Sequence, residues 1–328
     1  MSADVLRIDP THPEQEPLAR AAEVLRQGGL IAFPTETVYG LGASALDAAA
    51  VERIFVAKGR PSRNPVIVHV HDVAAAKTLV TEWSAAADRL AERFWPGPLT
   101  MVLPRAPAVP DVVTAGGATV GIRIPSHPVA LALLRTARLP IAAPSANLST
   151  QLSPTRAEHV VAGLGDRVDL ILDGGPCPGG LESTVVDLTK RPPRLLRPGL
   201  ISPAALREVL GAVMFETVGP SVTMPLPSPG LMERHYAPRT PLRVTKHVKN
   251  ASQSAPGQVG IVALENSPPG TDRVHVVPMP LDPDAYAARL YAVLHDLDQA
   301  GLDLILVEAP PETEAWLAVH DRLRRAEH

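Results

Sequence analysis

The chain has 328 residues, a formal net charge of −3 and a single cysteine, Cys177. That charge argues against an electrostatic nucleic-acid binder, and one cysteine excludes an internal disulfide framework and an all-cysteine zinc site. A hydrophobic fraction of 45% marks a globular chain of roughly two domains, and no run of about 18 apolar residues reads as a membrane span.

Along the chain, Pro17–Gln27 predicts a first helix, with Leu18, Ala21, Ala22 and Leu25 at helical spacing and Gly28-Gly29 as its stop. Leu30–Phe33 predicts a short buried strand. Ala45–Lys58 predicts a helix with Gly59 past its end, and Val66–Val70 a β-branched strand. Helices are expected over Val73–Val80, Ala85–Phe94, Val129–Arg135 and Arg156–Leu164. Strands are expected over Leu99–Leu103, Thr119–Ile124, Ile141–Ala143, Leu170–Leu172, Thr184–Leu188 and Arg194–Arg197. Ser202 caps a helix running to Leu210, with Pro203 at its first position. From Gly211 to Pro241 the periodicity fades and prolines cluster, as in a semi-rigid linker. Beyond it, strands at Leu242–Val244, Val259–Leu264, Val274–Val277 and Leu304–Val307 alternate with helices at Asp284–Gln299 and Glu312–Arg325, which predicts a small α/β sheet.

The chemistry begins with absences. There is no Walker-type glycine loop, no G-x-G-x-x-G, no G-x-S-x-G and no H-E-x-x-H. His69 and His71 can share a strand face but lack a third ligand for zinc. Several polar clusters remain. Lys58-Gly59-Arg60-Pro61-Ser62-Arg63-Asn64-Pro65 places three cations in six residues: an anion site if they converge, or the ordinary basic end of a helix. Thr35, Thr37 and Tyr39 share a face if their stretch is extended; the other reading is a turn. Ser145 and Asn147 can face one ligand or cap the next segment. Arg123, inside an apolar strand, needs a carboxylate from a substrate or from the protein. Glu182-Ser183-Thr184-Val185-Val186-Asp187 follows a glycine-rich loop. The linker carries Arg234-His235-Tyr236, a basic-aromatic triplet that a plain spacer does not need.

Taken together, FPTETVYGLG (Phe33–Gly42), KGRPSRNPVIVHV (Lys58–Val70), FWPGPLT (Phe94–Thr100), VGIRIPSHP (Val120–Pro128), PSANLS (Pro144–Ser149), ESTVVD (Glu182–Asp187), RPG (Arg197–Gly199) and SPGLMERHYAP (Ser228–Pro238) resemble the L-threonylcarbamoyladenylate synthases, the YrdC-like family, in their longer two-domain form. The resemblance implies an α/β architecture. A YrdC-like twisted mixed sheet with helices spans 1–212, a linker entering the active site spans 213–240, and a small Rossmann-like domain spans 241–328. It implies a reaction of L-threonine, bicarbonate or CO2, and ATP to give threonylcarbamoyl-AMP and pyrophosphate. The product would feed a downstream tRNA threonylcarbamoyl transferase acting on adenosine 37.

The roles implied by the resemblance follow position by position. Lys58 and Arg60 are the catalytic pair, and with Asn64, Ser145 and Asn147 they hold the triphosphate. Thr119, Thr155 and Arg197 hold other parts of ATP, and Tyr236 closes over the nucleotide. Thr37, His69, Arg123, Ser145 and Ser183 bind threonine, with Arg123 on its carboxylate. Magnesium is expected through the ATP phosphates, with no protein metal ligand. The linker departs from the family pattern at Leu231-Met232-Glu233, where a basic residue and an aromatic are usual. The chain is expected to be cytoplasmic, with no membrane contact and no strong direct nucleic-acid binding. The rival readings are an RNA-binding or translation-assisting module on the same basic surface, and a carbamoyl-adenylate activity on another acceptor. The second occurs in hydrogenase-maturation proteins, whose acylphosphatase and zinc-finger segments have no counterpart here.

Overall fold

The computed structural model describes residues 3–215, 235–264 and 270–327. Among them, eleven strands form one large mixed sheet: β1 (Asp4–Arg7), β2 (Ile31–Phe33), β3 (Gly40–Ser44), β4 (Ile67–His69), β5 (Leu99–Pro104), β6 (Thr119–Arg123), β7 (Ile141–Ala142), β8 (Leu170–Asp173), β9 (Thr184–Asp187), β10 (Arg194–Arg197) and β11 (Met214–Phe215). Their spatial order is β1-β8-β2-β3-β7-β4-β6-β5-β9-β10-β11. A second, all-parallel sheet holds β12 (Leu242–Thr245), β13 (Val259–Ala263), β14 (Val274–Pro278) and β15 (Leu304–Glu308), in the order β12-β15-β13-β14.

Strand alternation decides what each face of the large sheet meets. On one face, Ala32, Leu41, Ala43, Val68, Ile122, Met101 and Val186 join a core shared with the helices Ala48–Lys58, Ala85–Phe94 and Ala157–Leu164. On the other face, Ile31, Phe33, Ile141, Leu170 and Leu172 pack against the helices Gln15–Arg26 and Pro128–Ala137. Those two helices cover only one end of that face. The strands β4, β6 and β5 continue it beyond them. Register pairs His69 with Arg123, and Met101 with Ile122, so Thr100 stands beside Arg123. Polar side chains therefore occupy the stretch of sheet that the helices leave uncovered.

The helix ends follow local chemistry. Asp47 accepts the Ala50 N–H and starts its helix three residues later than the periodicity predicts. Gly59, at φ +60°, ends it in the left-handed conformation that glycine tolerates. The closing helix also differs from expectation: it begins with a 3-10 turn at Glu314–Trp316 and continues as Leu317–Ala326.

The two sheets meet through a shared core. Val38, Leu152 and Leu181 of the large unit pack with Tyr286, Leu290, Tyr291, Leu294 and Leu323 of the small one. Arg207 pairs with Glu314 at 2.7 Å, and the His159 and His295 rings stack at 3.8 Å.

Gly42 lies where β3 passes under Phe33 and Ile141, and a Cβ there would come within 2.8 Å of both side chains. Gly42→Ala is expected to destabilise by about 1–3 kcal/mol through overpacking. Gly163, in the helix Ala157–Leu164, has nothing within 4 Å of such a Cβ. Gly163→Ala is expected to stabilise by about 0.5–1 kcal/mol. Urea unfolding of the two variants checks the opposite signs.

Candidate active site

The uncovered sheet face opens into a cleft enclosing about 510 Å³ of space, part of it open to solvent. Thr37, Arg60, His69, Arg123, Ser145, Ser183, Arg197 and Tyr236 all line it. They come from the loop after β2, the loop after the helix Ala48–Lys58, the strands β4, β6 and β10, the turn after β7, the start of β9 and the segment that enters the small domain.

The basic loop converges in part. Lys58 is buried and its ammonium donates to the carbonyls of Ser145 and Asn147 and to Asn147 Oδ1 at 3.1 Å. Arg60 is buried, and its guanidinium donates to the Asn64 carbonyl at 3.0 Å and the Pro65 carbonyl at 2.7 Å. Burial brings the Arg60 guanidinium down to about 10, Tyr236 acting upward and Arg197 downward, and the group remains protonated at neutral pH. Burial, then Arg60, also holds Lys58 well below an ordinary lysine. Arg63 is exposed and does not converge with the other two.

Several expected residues are not among those that line the cleft. Asn147 Oδ1 accepts Ser145 Oγ at 2.6 Å, and its Nδ2 donates to the Gln151 carbonyl at 2.7 Å, so it braces the loop that presents Ser145. Asn64 is buried at the turn that receives Arg60. Thr155 is buried, and its Oγ1 has no hydrogen-bond partner among the described residues. Thr119 starts β6, beside Pro104. It shares a face with Arg123 but lies about 13 Å along the strand.

The hydroxyl stretch is a turn, not an extended segment. Thr35 Oγ1 donates to the Val38 carbonyl at 2.7 Å and meets Thr37 Oγ1 at 2.8 Å. Thr35 and Thr37 reach the cleft, whereas Tyr39 turns into the core and donates to the Gly175 carbonyl at 2.7 Å. Of the two histidines, His69 lines the cleft while His71 pairs with Asp72 at 3.2 Å. Burial, then Arg123, pushes His69 down to about 3, so its ring is neutral. Among the described residues no three His, Cys, Asp or Glu side chains cluster as metal ligands.

Arg123 has a protein carboxylate. Its Nη2 lies 2.6 Å from Glu36 Oε1, and both Nη atoms donate to Thr37 Oγ1 at 3.0 Å. Sequence reasoning left Glu36 out, although a signal existed. Glu36 is the only charge in Phe33–Gly42 and Arg123 the only charge in its strand, and a buried lone charge needs a partner. Arg197 donates to the Ser183 carbonyl at 2.9 Å and to Ser183 Oγ at 3.1 Å, while Ser183 Oγ also meets Thr100 Oγ1 at 2.8 Å. Glu182 and His235 complete the lining. Burial pushes Glu182 up, but Arg322 and Arg197 outweigh it and hold the carboxyl below its ordinary value. Burial, with Arg60, Lys58, Arg197 and Arg325, holds His235 well below an ordinary histidine. Met232 and Glu233 lie outside the described residues.

Known proteins align with this architecture end to end. A model of the Sua5, YciO and YrdC proteins described as "Telomere recombination" matches residues 23–199, and one described as "Threonylcarbamoyl-AMP synthase, C-terminal domain" matches residues 201–327. The threonylcarbamoyl-AMP synthase of Pyrococcus abyssi is 42% identical over 319 residues, covering 93% of this chain and 92% of that one. That of Bacillus subtilis is 43% identical over 320 residues, covering 94% and 92%. The crystal structure of P. abyssi Sua5 complexed with L-threonine superposes with a TM-score of 0.91 at 39% identity, over 98% of this chain and 97% of that one. The shorter YciO of E. coli superposes with a TM-score of 0.55 at 30% identity, over 60% of this chain and 96% of its own. With both units matched and relatives above 40% identity along nearly all of its length, the chain belongs to the Sua5/YrdC family of threonylcarbamoyl-AMP synthases.

Proposed function

We propose that this chain condenses L-threonine, bicarbonate or CO2, and ATP into threonylcarbamoyl-AMP and pyrophosphate, for tRNA N6-threonylcarbamoyladenosine synthesis. The observation that carries this reading is one cleft lined by two kinds of group. Arg60, Arg197, Ser145 and Tyr236 suit a nucleotide polyphosphate, and Thr37, His69, Arg123 and Ser183 suit a small hydroxy amino acid. The likeness to a Sua5 crystallised with L-threonine supports the second group.

In this reading the catalytic unit spans 1–212, the linker 213–240 and the small domain 241–328. The threonine amine captures CO2 as a carbamate. A carbamate oxygen then attacks the α-phosphorus in line and pyrophosphate leaves. Such a transfer needs positioning and charge neutralisation more than a protein nucleophile. Arg60 and Arg197 face the developing negative charge from a desolvated wall, where charge acts more strongly than in water. Lys58, expected as the catalytic partner of Arg60, is not among the residues lining the cleft and instead, with Asn147, holds the Ser145 loop in shape, while Asn64 receives Arg60. Magnesium enters with the substrate, chelated by phosphate oxygens. Thr155 and Thr119 are assigned to outlying parts of the nucleotide. The neutral ring of His69 has an Nδ1 without a partner among the described residues, which suits a threonine hydroxyl or amine. Pairing of the substrate hydroxyl is what would favour threonine over valine. The product passes to a tRNA threonylcarbamoyl transferase, and the chain acts in the cytoplasm.

Arg60→Ala is expected to lower threonine- and bicarbonate-dependent pyrophosphate release by about 10²-fold or more while the protein still unfolds cooperatively. Undiminished release in that variant would sink the phosphate assignment. Mass spectrometry of the product formed from ATP, bicarbonate and a panel of amino acids tests the reaction itself. Arg123→Lys keeps the charge but loses the two-pronged donor geometry. It is expected to raise KM for L-threonine about tenfold or more, equivalent to about 1.4 kcal/mol, with KM for ATP little changed. Steady-state kinetics with each substrate varied in turn checks the difference.

A further inference from the structure

Arg322 sits in the last helix of the small domain, Leu317–Ala326, and is 1% exposed. Its contacts lie mostly in the other unit. Nε donates to Glu182 Oε2 at 2.7 Å, and Nη1 donates to the Pro198 carbonyl at 3.0 Å. The guanidinium carbon stands over the Tyr236 ring, 5.2 Å from its centroid. Asp321 Oδ2 accepts from Nη1 at 2.8 Å and fixes the near end.

Each of those contacts bears on the cleft. Glu182 lines it, next to Ser183, and its Oε1 accepts Ser153 Oγ at 2.5 Å. Pro198 follows Arg197, which lines it too. Tyr236 lines it with φ +62°, a conformation that a bulky residue keeps only when its surroundings impose it. The backbone around it is held from both units: His235 N donates to the Arg325 carbonyl at 3.1 Å, and Ala237 N to the Thr150 carbonyl at 3.0 Å. The ring itself rests between Tyr291, His235 and the Arg322 guanidinium.

Gluing two units together does not require this arrangement. Arg207 with Glu314, the stacked His159 and His295, and the shared apolar core join the same units, and neither polar pair includes a residue that lines the cleft. A buried cation costs several kcal/mol to desolvate and is tolerated only with good acceptors. Here the acceptors are Asp321 in its own helix and, across the units, Glu182 and the carbonyl of Pro198, the residue after Arg197.

We propose that Arg322 is a positioning residue for the nucleotide half of the cleft. Through one guanidinium, the small domain sets the geometry of Glu182, of the Arg197–Pro198 turn and of the Tyr236 ring. The proposal rests on the synthase reading above. It gives the small domain a part in the reaction without placing any of its side chains on a substrate.

The test is steady-state pyrophosphate release by the full-length chain as wild type, Arg322→Lys and Arg322→Met, with thermal unfolding of each. Arg322→Lys keeps a cation opposite Glu182 but loses the planar fork that also reaches Pro198 and covers Tyr236. It is expected to stay folded, to raise KM for ATP about tenfold or more, and to leave KM for L-threonine within about threefold; misplacement without loss of a contact group commonly costs up to about 10²-fold. Arg322→Met, where folded, shows the same pattern more strongly. An active wild type whose Lys variant matches it in both KM values overturns the proposal alone. So does a loss that lowers kcat for both substrates only in step with the folded fraction. A wild type that forms no product from threonine, bicarbonate and ATP overturns the synthase reading and this proposal with it.

Discussion

Cations buried around one sheet face need acceptors, and that need shapes the large unit. Lys58, Arg60, Arg123 and Arg197 are all buried. Each is answered by a different segment: the Ser145 and Asn147 carbonyls, the Asn64 and Pro65 carbonyls, Glu36 with Thr37, and Ser183. Without such partners each charge would cost several kcal/mol. Satisfying them ties loops from distant parts of the chain into one rim. The rim is thus organised before any anion arrives, and no large rearrangement is required to aim positive charge at one. That is the condition under which fixed charge assists a reaction most.

The sequence showed the periodic parts of this design well, because burial alternates where the chain is regular. Ala32 faces one core and Ile31 and Phe33 the other, and the Leu18-Ala21-Ala22-Leu25 stripe meets the second. β3 was not legible. The sequence offers no strand signal over Gly40–Ser44, yet Gly40 and Gly42 stand in a strand whose neighbours, Phe33 and Ile141, leave no room for a Cβ at Gly42. The hydroxyl stretch was open for a related reason. Alternation left a strand and a turn equally open there, and it is the turn that forms: Thr35 closes on its own backbone and Tyr39 points away from the cleft. The cleft residues themselves were legible through motifs. Their partners were not, since Glu36 answers Arg123 across 87 positions and Arg322 answers Glu182 across 140. Local pattern carries no information about such pairs.

The small parallel sheet is joined to this rim by apolar surface first and charge second. Val38, from the turn that presents Thr37, is in the shared core with Tyr286, Leu290 and Leu294. Leu181, next to Glu182, is in it as well. Two of the loops that bring polar groups to the cleft therefore have an apolar residue held by the other unit. Separating the units would expose that surface and would leave Glu182 without its guanidinium. The physical coupling between the units is already present in which side of each loop is apolar.

Proline abundance fits the same logic at the level of the backbone. A fixed φ stiffens a loop, but a proline also brings a carbonyl without an N–H. In a rim built of loops there are few ladder partners, and every buried N–H needs one. Proline removes that demand and keeps the acceptor. The structure uses those acceptors: Pro65 receives Arg60, Pro198 receives Arg322, Pro144 receives the Leu41 N–H and Pro154 the Tyr39 N–H. A chain that must surround buried cations with carbonyl oxygen gains doubly from such residues. The prolines of the rim thus serve as electrostatic partners as well as stiffeners.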